Sequence, residues 1–217
     1  MFIESRAVGP FFKNGFILGC PRTGEAVVID PGDEVAELVA LVRQHGLTVR
    51  HILLTHAHID HVTGVGPAAE AFNVPVWLHK DDLFLYERAE QQAKMFGLKM
   101  PGPLPAIDHF YDGTVFTFGD YRVDVHHTPG HCPGGVCLAV TGPDLAEPHL
   151  FVGDTLFAGS IGRTDLPGGD YEILMRAITG VLFPLGDDAV VHPGHGTDTT
   201  IARERATNPF VLDYQRS

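Results

Sequence analysis

The chain has 217 residues, 44 % of them hydrophobic, with a mean hydropathy of +0.07 and a formal net charge of −12. That length suits one domain, 1–217, with a substantial core. No apolar run approaches the roughly 20 residues of a bilayer-spanning helix, and 27 acidic residues against 15 Lys plus Arg argue against a basic face that grips phosphate backbones. Neither membrane nor nucleic acid is therefore an expected partner. The N-terminal MFIESRAVGP has no basic segment followed by an apolar one, so no signal peptide is expected. Cys20, Cys132 and Cys137 are an odd number at no useful spacing, which reads as reduced thiols in a cytoplasmic protein.

EAVVIDPG, 25–32, reads as a buried strand closed by a Pro-Gly turn. DEVAELVALVRQHG, 33–46, follows with apolar residues at helical spacing and Gly46 as its stop signal. TVRHILLTH, 48–56, is a second buried strand. VTGVGPAAEAFN reads as helical, VPVWLHK as extended, and DDLFLYERAEQQAKMFG as one helix with Asp81 or Asp82 near its N-cap. MFGL, 95–98, ends that helix and is expected in the core, and the Pro-rich 100–108 is a loop. From TVFTFGDYRVDVHHT the period changes to two, with GDY as a hairpin turn. GVCLAV and HLFVGD are further strands, DYEILMRAITGVLF is helical, AVVHPG extended, and TTIARERATN a last helix. Clustered strands with helices between and after them predict sheets covered by helices.

LLTHAHIDHVTG, 53–64, crowds His56, His58, Asp60 and His61 onto the end of the second strand. Two apart on extended backbone, His56 and His58 put their rings on one side. Asp60 and His61 come after the chain has begun to turn, so they face a neighbouring point. One tetrahedral ion takes about four ligands in total. Four from one turn, with more elsewhere, suggest two ions side by side. A chance cluster at a polar turn is the bland alternative, and three further segments argue against it. His131 lies in the Gly/Pro-rich HHTPGHCPGG, Asp154 just past an apolar strand in FVGDTLF, and His195 past another in VVHPGHG. Each ends a buried strand with a potential ligand, where loops on a rigid scaffold carry function. Asp30 in VIDPG is read as structural, ordering loops by accepting backbone hydrogen bonds.

Taken together, VIDPG, LLTHAHIDH, HTPGHCPG, FVGDTLF, GSIGRTDLPGGD, HPGHG and the downstream NPF resemble, in order and over nearly the whole chain, the metallo-β-lactamase fold superfamily. Within it the match is to glyoxalase II-like hydrolases of the short bacterial type. The resemblance implies an α/β fold, the four-layer αββα sandwich of two mixed β-sheets flanked by helices. It implies a first metal held by His56, His58 and His131, a second by Asp60, His61 and His195, and Asp154 as the bridge. The implied cofactors are two divalent ions per chain, zinc first, with iron or manganese suiting the same His and carboxylate set. Two such ions about 3.5–4 Å apart lower the pKa of a shared water from near 16 toward 7. The implied reaction is attack by that hydroxide on a thioester carbonyl, S-lactoylglutathione first among substrates. Asp60 is then both ligand and orienter of the nucleophile.

Around this set, Arg163 and Asp165 of GRTD either line the substrate groove or form an internal ion pair, and Arg163 is the candidate substrate contact. Cys132 stands where relatives commonly have threonine or serine, either as a metal contact or as a small packing residue; packing is the simpler reading. His127 reads as structural, and His192 competes with His195 in principle, although the PGHG match favours His195. Full-length glyoxalase II enzymes carry a further C-terminal helical region that holds glutathione. Here 22 residues follow His195, with Arg203, Arg205 and Arg216 as their basic residues, so glutathione recognition is expected to be weaker. Two competing readings remain from the sequence: a persulfide dioxygenase with a single iron acting on glutathione persulfide, and a non-catalytic metal-binding protein. No feature of the sequence specifies an oligomer.

Overall fold

Two mixed six-stranded sheets carry the chain in a computed structural model that describes residues 1–33 and 35–216. Glu34, inside the expected helix 33–46, and Ser217 lie outside the described residues. The chain divides into two compact units, Met1–Asp112 with Thr117–Tyr121, and Gly113–Phe116 with Arg122–Ser217.

The first unit is built on β1 (Phe2–Val8), β2 (Lys13–Gly19), β3 (Glu25–Ile29), β4 (Thr48–Leu53), β5 (Val76–Leu78) and β6 (His109–Phe110), hydrogen-bonded in that order. β1 to β3 run antiparallel and β3 to β6 parallel. Parallel neighbours need crossovers. α1 (Val35–Gln44) lies in the first, α2 (Ile59–Val62) and α3 (Val65–Phe72) in the second, and α4 (Leu83–Glu87) and α5 (Ala89–Met95) in the third. Ala26–Ile29 and Ile52–Leu54 are fully buried. Strands covered on both faces need continuous apolar runs rather than alternation, which is what EAVVI and HILL supply.

The single helix expected over 81–97 is instead a 3-10 turn (Lys80–Asp82) followed by α4 and α5, with a break at Arg88 (φ −97°, ψ 12°). Asp82 precedes α4 but does not cap it with its side chain. Its buried carboxylate turns inward and accepts the Ala57 N–H at 2.9 Å. MFGL is not core, contrary to expectation: Met95 is 82 % and Phe96 48 % exposed. α5 buries Ala89 and Ala93, one turn apart, so Met95 points to the opposite side. Phe96, at the helix end, packs edge-on against Phe11 with ring centroids 5.5 Å apart.

The second sheet contains β7 (Phe116–Phe118), β8 (Tyr121–His127), β9 (Val136–Thr141), β10 (His149–Gly153), β13 (Val190–Pro193) and β14 (Thr199–Thr200), while β11 (Leu156–Phe157) and β12 (Ser160–Ile161) pair as a small hairpin. The order is β14-β13-β10-β9-β8-β7, with β10 and β13 parallel. Gly119 adopts φ +62° in the β7–β8 turn, where GDY was expected to reverse the chain. α6 (Tyr171–Ala177) is capped by Asp170, whose carboxylate accepts the Ile173 N–H at 2.9 Å. Leu174, Met175, Ile178 and Leu182 then pack with Leu150, Val152, Leu156 and Val191 in one buried cluster. Each such side chain contributes about 1.5–3 kcal/mol through burial.

Only one helix is expected after His195, yet two form, α7 (Ile201–Thr207) and α8 (Pro209–Arg216). The Asn-Pro pair explains the second. Asn208 Oδ1 accepts the Phe210 N–H at 3.1 Å, and Pro209 opens the helix where no N–H is needed. The buried Asn208 amide donates to the Ser160 carbonyl (3.0 Å) and to Glu204 (2.8 Å). Glu204, equally buried, accepts the Gly159 N–H (2.8 Å) and the Thr199 hydroxyl (2.6 Å). This knot ties the C-terminal helices to the β11–β12 turn. Asn208→Ala leaves buried partners unmade and is expected to cost about 1–3 kcal/mol in denaturant unfolding. An unchanged midpoint would show that the knot contributes nothing.

Candidate metal centre

In the first unit, β4 ends one turn before the ligand cluster. His58 is still extended (φ −70°, ψ 153°), and α2 begins at the next residue, so Asp60 and His61 fall in a helical turn. All three histidines of the turn are buried. The His56 ring centroid lies 4.9 Å from that of His58 and 4.0 Å from that of His61.

Asp30 organises this turn. Its carboxylate accepts the Thr55 N–H (2.7 Å), the Thr55 hydroxyl and His61 Nδ1–H (2.8 Å). A carboxylate only accepts, so His61 carries its proton on Nδ1 and its lone pair on Nε2. The Thr55 hydroxyl has given its hydrogen to Asp30, so it accepts from His56 Nδ1 at 3.2 Å. His56 thereby presents its lone pair at Nε2 as well. The expected backbone bond to Asp30 is present, but the setting of two imidazoles was not foreseen. Asp82 was missed too, since its bond to Ala57 in the middle of the ligand turn comes from 25 residues away.

The second unit repeats the logic. His131 Nδ1 donates to the Arg163 carbonyl at 2.8 Å, which again leaves the lone pair at Nε2. Asp154 Oδ2 lies 3.7 Å from His131 Nε2 and 3.5 Å from His195 Nε2. In the first unit Asp60 Oδ2 lies 3.8 Å from His61 Nε2. These gaps exceed the roughly 2.7–3.2 Å of an N–H···O hydrogen bond. Two donor atoms held about 2.0–2.1 Å from one ion in tetrahedral geometry are roughly 3.3 Å apart. The donor spacing and the lone pairs at Nε2 therefore fit divalent cations better than direct pairing.

Neighbouring residues divide cleanly. The Arg163 guanidinium pairs with Asp165 at 2.7 Å, both side chains being exposed. That hydrogen bond pulls the Asp165 carboxyl down to about 2. Cys132 is buried and joins no group of potential metal ligands among the described residues. His127 Nε2 donates to the Pro133 carbonyl at 2.8 Å, stapling the loop that carries His131.

His192 joins no group of potential metal ligands among the described residues. It is buried, stacks on Phe151 (4.6 Å, 16°), bonds His149 Nδ1 through Nε2 (2.8 Å) and meets Asp198 through Nδ1 (3.0 Å). Burial, reinforced by the neighbouring His192, holds the His149 pKa below its ordinary 6.5. The unfolded chain then takes up a proton near pH 6.5 that the folded chain resists, so stability is complete above that pH. It is lost as pH falls through 6.5 toward the lower folded value. His149→Phe is expected to flatten this part of the curve in urea unfolding between pH 8 and 5; parallel curves would contradict the linkage.

Residues 8–200 match the family model of the metallo-beta-lactamase superfamily. The chain belongs to that superfamily. The Haemophilus influenzae protein named hydroxyacylglutathione hydrolase GloC is 38 % identical over 194 residues, which cover 86 % of this chain and 87 % of that protein. The crystal structure of BLEG-1 B3 metallo-beta-lactamase aligns with a TM-score of 0.86 at 36 % identity, over 97 % of this chain and 99 % of that one. TTHA1623 in a di-iron-bound form aligns with a TM-score of 0.83 at 42 % identity, over 97 % and 100 %. The fold is thus the metallo-β-lactamase αββα type, two mixed sheets flanked by helices, as the motifs imply. No helix among the described residues is long and apolar enough to cross a membrane.

Proposed function

We propose that this metallo-β-lactamase superfamily member is a dinuclear thioester hydrolase acting on an S-lactoylglutathione-like substrate. The observation that carries the reading is the donor set itself: His56, His61 and His131 all present Nε2, and Asp60 and Asp154 stand at ligand spacing from imidazoles. In this reading His56, His58 and His131 hold one divalent ion, Asp60, His61 and His195 hold the other, and Asp154 serves both. When bound, such a pair supplies Lewis acidity and a water activated at neutral pH. Asp60 orients the attacking water by accepting its hydrogen bond. The leaving thiolate is a weak base, with an ordinary thiol pKa of about 8.5, so no protein acid is required. Arg163, whose carbonyl holds His131 and whose exposed guanidinium pairs with Asp165, is the candidate contact for a substrate carboxylate. GloC supports the substrate class through its name and its match to most of the chain. Zinc is the first candidate metal, and the di-iron form of TTHA1623 supports iron as the second.

The test is anaerobic purification with elemental analysis, followed by parallel assays on S-lactoylglutathione and glutathione persulfide. Two metals per chain with thioester hydrolysis is the expected result. One iron per chain with rapid oxygen consumption on the persulfide would replace the hydrolase with a dioxygenase. A metal-loaded protein inert toward both would leave a metal-binding protein without turnover.

A further inference from the structure

A buried lysine lies behind the ligand turn, and the chemistry above does not use it. Lys13 opens β2 and is 1 % exposed. Lysine is almost never buried this fully unless it is paired. Its Nζ donates to the backbone carbonyl of Asp30. Asp30 has a left-handed backbone, φ +47°, which costs a residue with a Cβ roughly 1–2 kcal/mol. That conformation points the carbonyl at Lys13 and the carboxylate at Thr55 and His61. The lysine stem also runs against Gly32. A Cβ at Gly32 would lie 2.9 Å from Lys13 Cε and 3.0 Å from the Asp60 carbonyl oxygen. The ammonium thus occupies the space between the Asp30 turn and the start of α2.

We propose that Lys13 is a positioning residue for two imidazoles at once: its ammonium holds the Asp30 backbone, and the Asp30 carboxylate then fixes the Nδ1–H tautomers of His61 and, through Thr55, His56. The ammonium offsets the cost of the left-handed backbone by satisfying a buried carbonyl with a charged donor. Without it Asp30 relaxes toward ordinary backbone, and its carboxylate leaves the line to His61. His131 is a control within the same chain, because the Arg163 carbonyl sets its tautomer independently. The consequence for metal affinity rests on the dinuclear reading; the tautomer effect does not.

Long-range 1H–15N spectra of the metal-free full chain at pH 8 read each imidazole tautomer, for wild type and Lys13→Met, with zinc and iron(II) affinity measured in parallel by chelator competition. Wild type should show Nδ1–H tautomers at His56, His61 and His131. Lys13→Met should lose the fixed tautomer at His56 and His61, keep it at His131, and weaken zinc about 10- to 100-fold, the usual scale for groups that orient ligands. A variant that melts earlier but keeps all three tautomers would reduce Lys13 to packing and overturn the proposal. If wild type takes up neither zinc nor iron(II) in that competition while the tautomers change as stated, the dinuclear reading falls and the role of Lys13 stands. If Lys13→Met does not fold, the wild-type Lys13 ammonium decides. Slow exchange with a through-bond coupling to the Asp30 carbonyl supports the proposal, and a fast-exchanging ammonium overturns it.

Discussion

Asp154→Ala is expected to lower thioester turnover by about a thousandfold or more, roughly 4 kcal/mol of transition-state stabilisation, and to leave at most one metal ion per chain. Asp154 is placed for this effect by its position between two imidazoles, 3.7 Å from His131 and 3.5 Å from His195. In the proposed site it is the one carboxylate shared by both ions. Removing it deletes a ligand from each and leaves two cationic centres without the charge between them. The chain is already strongly acidic, at −12, so the loss of one carboxylate elsewhere on the surface changes little; the position decides the effect. Elemental analysis and kcat/KM on S-lactoylglutathione check both halves of the expectation. Two ions per chain with wild-type turnover would remove Asp154 from the site. Asp154→Asn separates shape from charge, because it keeps the side-chain volume and loses the anionic donor.

Much of the candidate donor set was legible because the donors are local. His56, His58, Asp60 and His61 fall within six positions of one strand end, Asp154 and His195 each follow a buried strand, and His131 follows the half-buried β8. Apolar runs that end in a metal-capable side chain are visible without coordinates. The groups that hold those donors were hidden, since each acts across the chain. Asp82 reaches Ala57 from 25 residues away, Asp30 reaches His61 from 31, and the Arg163 carbonyl reaches His131 from 32. Asp82 looked like a helix cap because Asp is common there, and nothing local says that it turns inward. A main-chain carbonyl such as that of Arg163 has no signature in sequence at all. The reading of Arg163 and Asp165 was split between groove lining and an internal ion pair; the pair forms at 2.7 Å, but it is exposed and not internal. MFGL failed for a different reason. Its apolar character suggested burial, but the small stripe of Ala89 and Ala93 decides which side of α5 faces inward.

Gly162→Ala is expected to destabilise the fold by about 3 kcal/mol, at the upper end for overpacking, and to strip metal from the protein that still folds. A Cβ at Gly162 would stand 1.8 Å from the Asp154 carbonyl oxygen and 3.2 Å from His131 Cβ. The nearest atom is main chain, so no rotamer change relieves the clash. Either the β12 end moves away or the Asp154 backbone does. The first option also carries off the Arg163 carbonyl, the next residue along, which holds the His131 ring. The second shifts Asp154 from its place between His131 and His195. One methyl group therefore displaces donors by two routes, without touching any donor atom directly. Gly180→Ala is the matched control, because a Cβ there meets nothing within 4 Å. Guanidinium unfolding with elemental analysis should separate the two variants, Gly180→Ala staying within about 0.5 kcal/mol of wild type. Equal stability and equal metal content in both would mean that Gly162 does not press on the Asp154 backbone.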